Sequence, residues 1–506
     1  MRPPSLGKQF CLRISGEQVE LLEGVVVSRP LRPLDSGEIQ LIHNTVLEIL
    51  ARVGVVYEAD WALDLLAGAG CKVDRGTKKA LIPENLVDEA INKAPRTIRL
   101  CGRNPKYDFK LEGTKVYFAG GANAIRIVEY YGVGEISVRP ATKRDLMNLT
   151  ILTDALENIH CHLAPVFPQD VPSKGVDRIK CEIVLNYTEK HFYHDAEGYA
   201  GALDQLEMAS IVMGGEDNLR KRPILSLAPC ITSPLTWSED ALGMLKACAE
   251  RDSPAIISSE TITGATAPVT LGGSLTQQCA EILSGFVIGH LLRPGMRTIA
   301  CTLPSVMDMR TANIVLSSIE TGMMSAASAQ IFREFYGVPY VGGACVSDSK
   351  VPDQQAGYEK ALTALYGALG APNLLHLASG MLDFILSVNP EQIVIDNEIL
   401  GMVLHGISGI KIDDETLALD AIMKVGPRGQ FLSQKHTLRN MPRELYVPKI
   451  SDRLPRESWE KSGSQDILAR AKHKVEQILN THRPEPLSEN VRVRLRQITE
   501  SATGTG

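Results

Sequence analysis

The sequence is poor in aromatic residues: Phe, Trp and Tyr make up 5% of its 506 positions. It also lacks a long apolar run. The longest, Ile282 to Leu292, is interrupted by Ser284, Gly285, Gly289 and His290. A bilayer span needs about 20 apolar residues, so no membrane crossing is expected. Positive charge is not in excess: Lys+Arg 53 against Asp+Glu 59 leaves a net charge of −6. That balance excludes the basic surfaces of nucleic-acid binders and polybasic membrane anchors. None of the 10 cysteines forms a C-x-x-C pair. This excludes a zinc ribbon and a disulfide framework, and predicts free thiols in a reducing cytoplasm. The opening MRPPSLGKQFCLRI has no apolar core of a secretory signal, which again predicts a cytoplasmic protein. No G-x-G-x-x-G follows a first strand and no G-x-x-x-x-G-K-[ST] occurs, so the two best-known phosphate cradles are missing.

What is present divides the chain into three parts. Residues 1–112 read as mostly helical: Ser36 can cap SGEIQLIHNTVLEILARVG, Asp60 to Ala69 continues, and Pro83 opens PENLVDEAINKA. Over residues 113–410, eight near-continuous apolar runs recur: 115–122, 159–167, 190–196, 223–231, 254–262, 296–304, 339–347 and 373–381. Such runs suit a parallel sheet covered on both faces. Helical patterns fill most of the intervals, several opening on Ser, Thr or Asp and closing at Gly. IRIVEYYGVGEISV reads as a hairpin inserted after the first run. Eight strand–helix units predict an α/β fold, a (β/α)8 TIM barrel with an N-terminal helical region and a C-terminal helical extension. A doubly wound open sheet is the rival arrangement. Residues 411–506 form the extension, loop-rich at first and ending in two charged helices.

In a barrel the chemistry gathers where the strands end. The run ends offer Asn123, Gln169, Asp170, His194, Asp195, Ser233, Thr236, Glu260, Asp308, Arg310, Cys345, Asp348, Lys350 and Ser379. Arg310 can hold a carboxylate by two parallel hydrogen bonds, or it can simply pair with Asp308. Glu260 can balance a cation or accept a proton, or it can bond a helix N-terminus. Asp353 is the expected cap of the helix after the seventh run, which leaves Asp348 and Lys350 for function. His160 and His162 share one strand face, and with His191 and His194 they raise a metal reading. Packing is the plainer account, and no tightly bound metal is expected.

Several segments together resemble one known family. They are GRNP (102–105), RPATKRDLMNLTILTDALENI (139–159), TGATAPVTLGGSLTQQCAE (263–281), LLRPG (291–295), DMRTAN (308–313), YGVP (336–339), SDSKVPDQQAGYEK (347–360) and GPRGQFLSQKHTLRN (426–440). Over roughly residues 36–450 the chain is similar to the trimethylamine methyltransferase superfamily. Archaeal trimethylamine enzymes of that family carry pyrrolysine near the end of the seventh strand. Here the corresponding stretch is GGACVSDSK, wholly of standard residues, with Cys345 or Val346 at about that place. The resemblance is therefore to the non-pyrrolysine branch. Departures from the family pattern at His290, Arg428, Gln430 and Asn440 leave the exact substrate open.

The resemblance implies a methyltransferase of one-carbon metabolism. Its methyl donor would be a quaternary amine of the betaine type. Its acceptor would be the Co(I) corrinoid (cobalamin) of a separate partner protein. A quaternary nitrogen needs no acid, because it leaves as a neutral tertiary amine. The protein must bind a cation, orient one methyl group and admit the corrinoid protein. Aromatic faces and a carboxylate suit the cation. On this reading Glu260, Asp348 and Cys345 are the catalytic candidates. Arg310, Tyr107, Phe118, Phe167, Tyr193, Trp237, Gln277 and Lys350 are the substrate-binding candidates, with Tyr117 beside them. A zinc-dependent corrinoid methyltransferase built on Cys345, Cys301 and His194, and a noncatalytic betaine-binding regulator, are the alternatives. The charged C-terminal helices can wrap a second copy, as a homo-oligomer, or lie on the barrel.

Overall fold

The eight apolar runs each contain a short strand, here named β1 (Lys115–Phe118), β2 (Cys161–His162), β3 (His191–His194), β4 (Leu225–Leu227), β5 (Ala255–Ser259), β6 (Thr298–Thr302), β7 (Tyr340–Gly343) and β8 (Leu374–His376). They belong to a computed structural model that describes residues 11–14, 17–20, 22–132, 135–343 and 345–504. Most of the opening segment read for a targeting signal, and Ala344 beside Cys345, lie outside the described residues. The strands are parallel neighbours in the order β2-β3-β4-β5-β6-β7-β8-β1, and Val25–Val26 adds an antiparallel ninth strand beside β1. The result is a curled α/β sheet. The longest register runs from Ala255↔Thr298 to Ser259↔Thr302, between β5 and β6. Every residue of β3 to β8 is buried, as unbroken apolar runs require of strands covered on both faces.

Helices return the chain between strands. They are α1 (Lys143–Ala155), α2 (Val176–Tyr187), α3 (Gly198–Met213), α4 (Glu239–Arg251), α5 (Leu271–Leu292), α6 (Ile319–Ala329), α7 (Gln354–Leu369) and α8 (Pro390–Ile407). Their starts are chemically marked. Thr142 and Asp145 form a reciprocal capping box on α1, while Ser238, Ser318, Asp353 and Asn389 cap α4, α6, α7 and α8. Each cap satisfies a backbone N–H that the helix leaves unpaired. Asp353 thus takes the expected capping role. The inserted hairpin is also present, with Arg126–Gly132 antiparallel to Glu135–Pro140.

The flanks depart from the sequence reading in detail. The first helix, Ser36–Glu48, is capped by Asp35 rather than Ser36, because Asp35 and Glu38 bond each other's backbone N–H. Helices Asp60–Gly68 and Glu84–Lys93 follow, but short strands are interleaved with them. Val55–Tyr57, Lys72–Asp74 and Lys79–Leu81 form a small sheet with Thr236–Trp237. The β-branched and aromatic Val-Val-Tyr run explains the preference for extended chain there. Near the C-terminus, α9 (Ile467–Thr481) packs on α8 and α1, and α10 (Glu489–Thr503) packs on α2 and α3. Both final helices therefore lie on the chain's own helical layer. Among the described residues, no helix is long and apolar enough to cross a membrane.

One buried ion pair ties the last two strand–helix loops together. Lys360 of α7 and Asp396 of α8 are both inaccessible to solvent and 2.9 Å apart. Lys360 Nζ also donates to the Cys345 carbonyl at 2.9 Å, and Asp396 accepts the Gly380 N–H. A lone charge left in such a place costs far more than the intact pair contributes. Asp396→Ala is accordingly expected to lose about 3–5 kcal/mol of unfolding free energy in a denaturant titration. The exposed Arg310→Ala should stay within about 0.5 kcal/mol.

Candidate active site at the strand C-terminal ends

Beyond the C-terminal ends of the strands lies a cavity of about 250 Å³. Tyr193, His194 and Asp195 reach it from the end of β3, Ser258 and Glu260 from the end of β5, and His376 from the end of β8. Asn123, Cys230 and Leu303 complete the wall from the loops after β1, β4 and β6. With Leu163 and Ala164 after β2, seven of the eight strand ends thus meet around one space, which only a curled parallel sheet arranges.

A hydrogen-bonded network builds one side. Lys180 of α2, 1% exposed, donates to Asn123 Oδ1 at 2.7 Å and to Asp195 Oδ1 at 3.0 Å. Asn123, held at a positive φ of 61°, donates to Asp195 Oδ2 at 3.2 Å. Gln205 of α3 donates through Nε2 to Asp177 and to the Asp195 carbonyl, so its Oε1 must face His194 Nδ1, 2.8 Å away. This assigns the imidazole proton to Nδ1 and leaves Nε2, 3.0 Å from Asp195 Oδ1, toward the cavity wall. Burial and the Lys180 cation push the His194 pKa down to about 4, so the ring is neutral near pH 7.

The two cavity carboxylates are driven apart. The protein around the half-exposed Asp195 would raise it, but Lys180 and then His194 hold it well below the usual carboxylate range. Glu260 has no such cation. Its side chain opens to solvent in the cavity, yet the protein around it raises its pKa, Asp195 adds to the rise, and the Ser258 hydroxyl bond at 3.4 Å opposes it. Asp195 is thus a fixed anion and Glu260 a tunable one. The aromatic face of the cavity is Tyr193, stacked 5.9 Å from the His376 ring at an interplanar angle of 22°. Burial lowers His376 to about 4, so this ring too is neutral.

Of the residues singled out in the sequence, Glu260 and Tyr193 line the cavity, as do the strand-end residues Asn123, His194 and Asp195. The others stand elsewhere. Arg310 is 88% exposed on a hairpin, Ser305–Asp308 with Asn313–Val315, and pairs with Asp308 at 2.9 Å. That hairpin joins Ile262–Thr263 in a small sheet beyond β5 and β6. Lys350 lies 4.0 Å over the Phe384 ring, next to the cavity residue Ile385. Asp348 is buried and accepts from the N–H groups of Leu316 and Ser317, joining the loop after β7 to the segment before α6. Cys345 is buried, its carbonyl held by Lys360 and its thiol pushed upward by burial. Gln277 donates to Glu281 and to the Thr266 carbonyl.

The remaining aromatics pack away from the cavity. Phe118 and Trp237 are fully buried, and the Trp237 indole donates to Ser284 at 2.8 Å. Tyr107 sits near Lys190, which precedes β3, at the opposite end of the sheet from the cavity. Tyr117 packs at a tilt against Phe109 and edge-to-face with His160. Phe167 lies 5.4 Å under Lys180, behind the acidic wall. Cys345, Cys301 and His194 do not converge, and among the described residues no three His, Cys, Asp or Glu side chains come together as a metal-binding group. His160, His162 and His191 instead bond Phe118, Thr153, and Cys101 with Ser226. Sequence reasoning missed His376 and Lys180. The stretch that holds Lys180, VDRIKCEIVLNY, mixes it with Asp177, Arg178 and Glu182, so nothing in its pattern set this lysine apart.

Comparison with known proteins adds an independent line. The family model described as trimethylamine methyltransferase (MTTB) matches residues 13–503. A trimethylamine methyltransferase MttB of Desulfitobacterium hafniense is 37% identical over 92% of each chain. A glycine betaine methyltransferase from another strain of that species is 34% identical over 91% of this chain and 95% of the other. Among solved structures, the monomethylamine methyltransferase MtmB of Methanosarcina barkeri superposes with a TM-score of 0.51 over 90% of both chains, at 11% identity. That likeness concerns the fold.

The raised pKa of Glu260 carries a stability consequence. A carboxyl whose folded-state pKa exceeds its unfolded value costs stability as pH rises through that interval. Glu260→Gln should therefore melt at a higher temperature than the parent at about pH 8, with the gap closing toward about pH 4. Equal melting temperatures across that range would show that the carboxylate is not strained.

Proposed function

The chain belongs to the trimethylamine methyltransferase family, and we propose that it moves a methyl group from a quaternary methylammonium ion of the betaine type to a Co(I) corrinoid carried by a separate protein. Its setting on this reading is a closed (β/α)8 barrel in the cytoplasm. Barrel closure is supported by backbone bonds between β1 and the β2 region, from His160 N to the Phe118 carbonyl at 2.7 Å and from Gly120 N to the Cys161 carbonyl at 3.0 Å.

The observation that carries the proposal is the charge of the cavity wall. Two carboxylates, Asp195 and Glu260, line it, Asp195 already paired from behind with Lys180 and Glu260 with no cation, and neither lysine nor arginine is in the lining. A permanent cation is the ligand such a wall selects. Tyr193 offers its π-face to the methyl groups, and neutral His376 adds a second flat ring without repelling charge. The corrinoid supplies the nucleophile, and the amine departs neutral with both electrons of the broken N–C bond. The residues here therefore need no acid. Their work is to hold the cation with one methyl toward the open end of the cavity. As the positive charge disappears, Glu260 loses its hold on the product. The carboxylate thus serves selection, orientation and release rather than stabilisation of the reacting state.

The carboxylate of a betaine cannot share the wall with Asp195 and Glu260. It must point outward, toward the rim, where Lys350 stands beside Ile385 and where, on this reading, Arg310 leaves its pair with Asp308 to meet it. Asp348, Cys345 and Gln277 act one step back, by holding the loops whose ends form the rim.

Titration calorimetry with glycine betaine, carnitine, γ-butyrobetaine, choline and trimethylamine tests this directly. The expected result is binding of a quaternary amine that weakens as pH falls through the Glu260 titration. In Glu260→Gln the affinity should drop about tenfold, or about 1.4 kcal/mol, and lose that pH dependence. Arg310→Ala and Lys350→Ala should weaken carboxylated ligands more than choline. Methyl transfer, followed as loss of Co(I) absorbance in a corrinoid protein, should track the same ligand. Silence across the panel both in binding and in turnover would sink the proposal.

A further inference from the structure

After α8 the chain leaves the body of the protein for thirty-five residues, 411–445, before Tyr446 returns to α8 and donates to the Glu398 carbonyl at 3.3 Å. Asn440 is the one buried residue in that arm. Its helices are nevertheless amphipathic. Leu419, Ile422 and Met423 share a face of helix Leu419–Val425, and Leu438 and Met441 share a face of helix Lys435–Glu444. All five are exposed, as is Leu432 between the helices; Leu432 and Leu438 reach 84% and 75%. A patch of this kind on a water-soluble surface marks a contact that the single chain does not make.

The arm lies at the wrong end to cover the cavity. It departs where Gly409 passes beside Ser28, and the adjoining strand Val25–Val26 pairs with Val116 and Lys115 at the start of β1. That is the N-terminal end of the sheet, opposite the strand ends that form the site. A methyl-acceptor protein must reach the cavity mouth, so it is not the occupant of this face.

The charges of the arm identify what is. Its first half, Lys411 to Val425, carries Asp413, Asp414, Glu415 and Asp420 against Lys411 and Lys424. Its second half, Pro427 to Glu444, carries Arg428, Lys435, Arg439 and Arg443 against Glu444. Two acidic–basic pairs, Lys411 with Asp413 at 2.6 Å and Glu415 with Arg439 at 2.8 Å, are satisfied within the arm. Asp414, Asp420, Arg428, Lys435 and Arg443 have no ion pair among the described residues. An acidic apolar half joined to a basic apolar half is complementary to a second copy of itself, turned about a two-fold axis. This is the self-matching condition of an isologous dimer contact. Stable interfaces use about 20–30 residues a side, a size the arm meets.

We propose that residues 411–445 are a dimerisation arm, packing against the same arm of a second copy with acidic half on basic half. The arrangement leaves both cavity mouths free. The intact chain should sediment at twice the monomer mass, and Leu438→Asp with Met441→Asp should make it monomeric while the thermal melt of the body and ligand binding at the cavity persist. Charge reversal tests the pairing itself. A chain with Asp414→Lys and Asp420→Lys has two basic halves, and one with Lys435→Glu and Arg443→Glu has two acidic halves. Each alone should dissociate at least tenfold more readily than the parent, and an equimolar mixture should regain dimers containing one of each. A monomeric parent chain overturns the proposal. So does a dimer that survives the Leu438/Met441 substitutions, or reversed chains that fail to associate on mixing. Capture of the corrinoid protein by the arm of a monomeric parent would assign the face to that partner instead.

Discussion

A lysine without access to water organises the cavity. Lys180 projects from α2 to the back of the acidic wall, where it joins Asn123 to Asp195. An unpaired ammonium in that place would be costly, so the cation and its acceptors fix one another's positions. Asp195 thereby becomes a permanent anion, and its backbone carbonyl helps to hold Gln205. Gln205 in turn sets the proton of His194. One buried charge therefore decides the ionisation of a carboxylate, while the Asp195 backbone and Asp177 together set the amide and, through it, the tautomer of the imidazole.

Glu260 owes its character to the absence of such a partner. It faces the same cavity as Asp195 but has a hydroxyl, not a cation, for company. A cationic ligand supplies what the protein withholds. Binding and ionisation of Glu260 are then coupled, and departure of a neutral amine reverses both. The scaffold repeats this use of buried charge. Lys360 and Asp396 pin the loops after β7 and β8, and Glu281 accepts from Ser233, Leu235, Ser259 and Gln277 behind β5. Loops at the open end of a sheet lack ladder hydrogen bonds, and buried carboxylates and lysines replace them.

The strand pattern was legible because covered parallel strands have a one-dimensional signature. IIS at the centre of β5 or VGG in β7 can bury both faces, and caps such as Thr142, Asp353 and Asn389 announce the helices by chemistry local to a few residues. Helix α2 was not legible as a helix of this kind, because Asp177, Arg178 and Lys180 break its apolar stripe; Asp177 and Arg178 pair with each other, but Lys180 and the rest of the Arg178 guanidinium are met only by Asp195, Glu197 and Asp204 of the next unit. The N-terminal strands were hidden for a related reason: Val55–Tyr57 finds its partner in Thr236–Trp237, about 180 residues away.

By itself the sequence determined the α/β class, the eight strand–helix units, the family, and that Glu260, His194 and Asp195 stand at strand ends. Those are properties of local periodicity and of position within a repeat. Only the tertiary structure decided which strand-end residues share a cavity. Tyr193 turns inward while Trp237, Phe118 and Tyr107 are spent on packing, and Arg310 stays on an exposed hairpin. The physical reason is that side-chain direction, burial and ionisation depend on neighbours brought together by the curl of the sheet. Lys180 beside Asp195, and no cation beside Glu260, is a fact of three dimensions that no spacing along the chain contains.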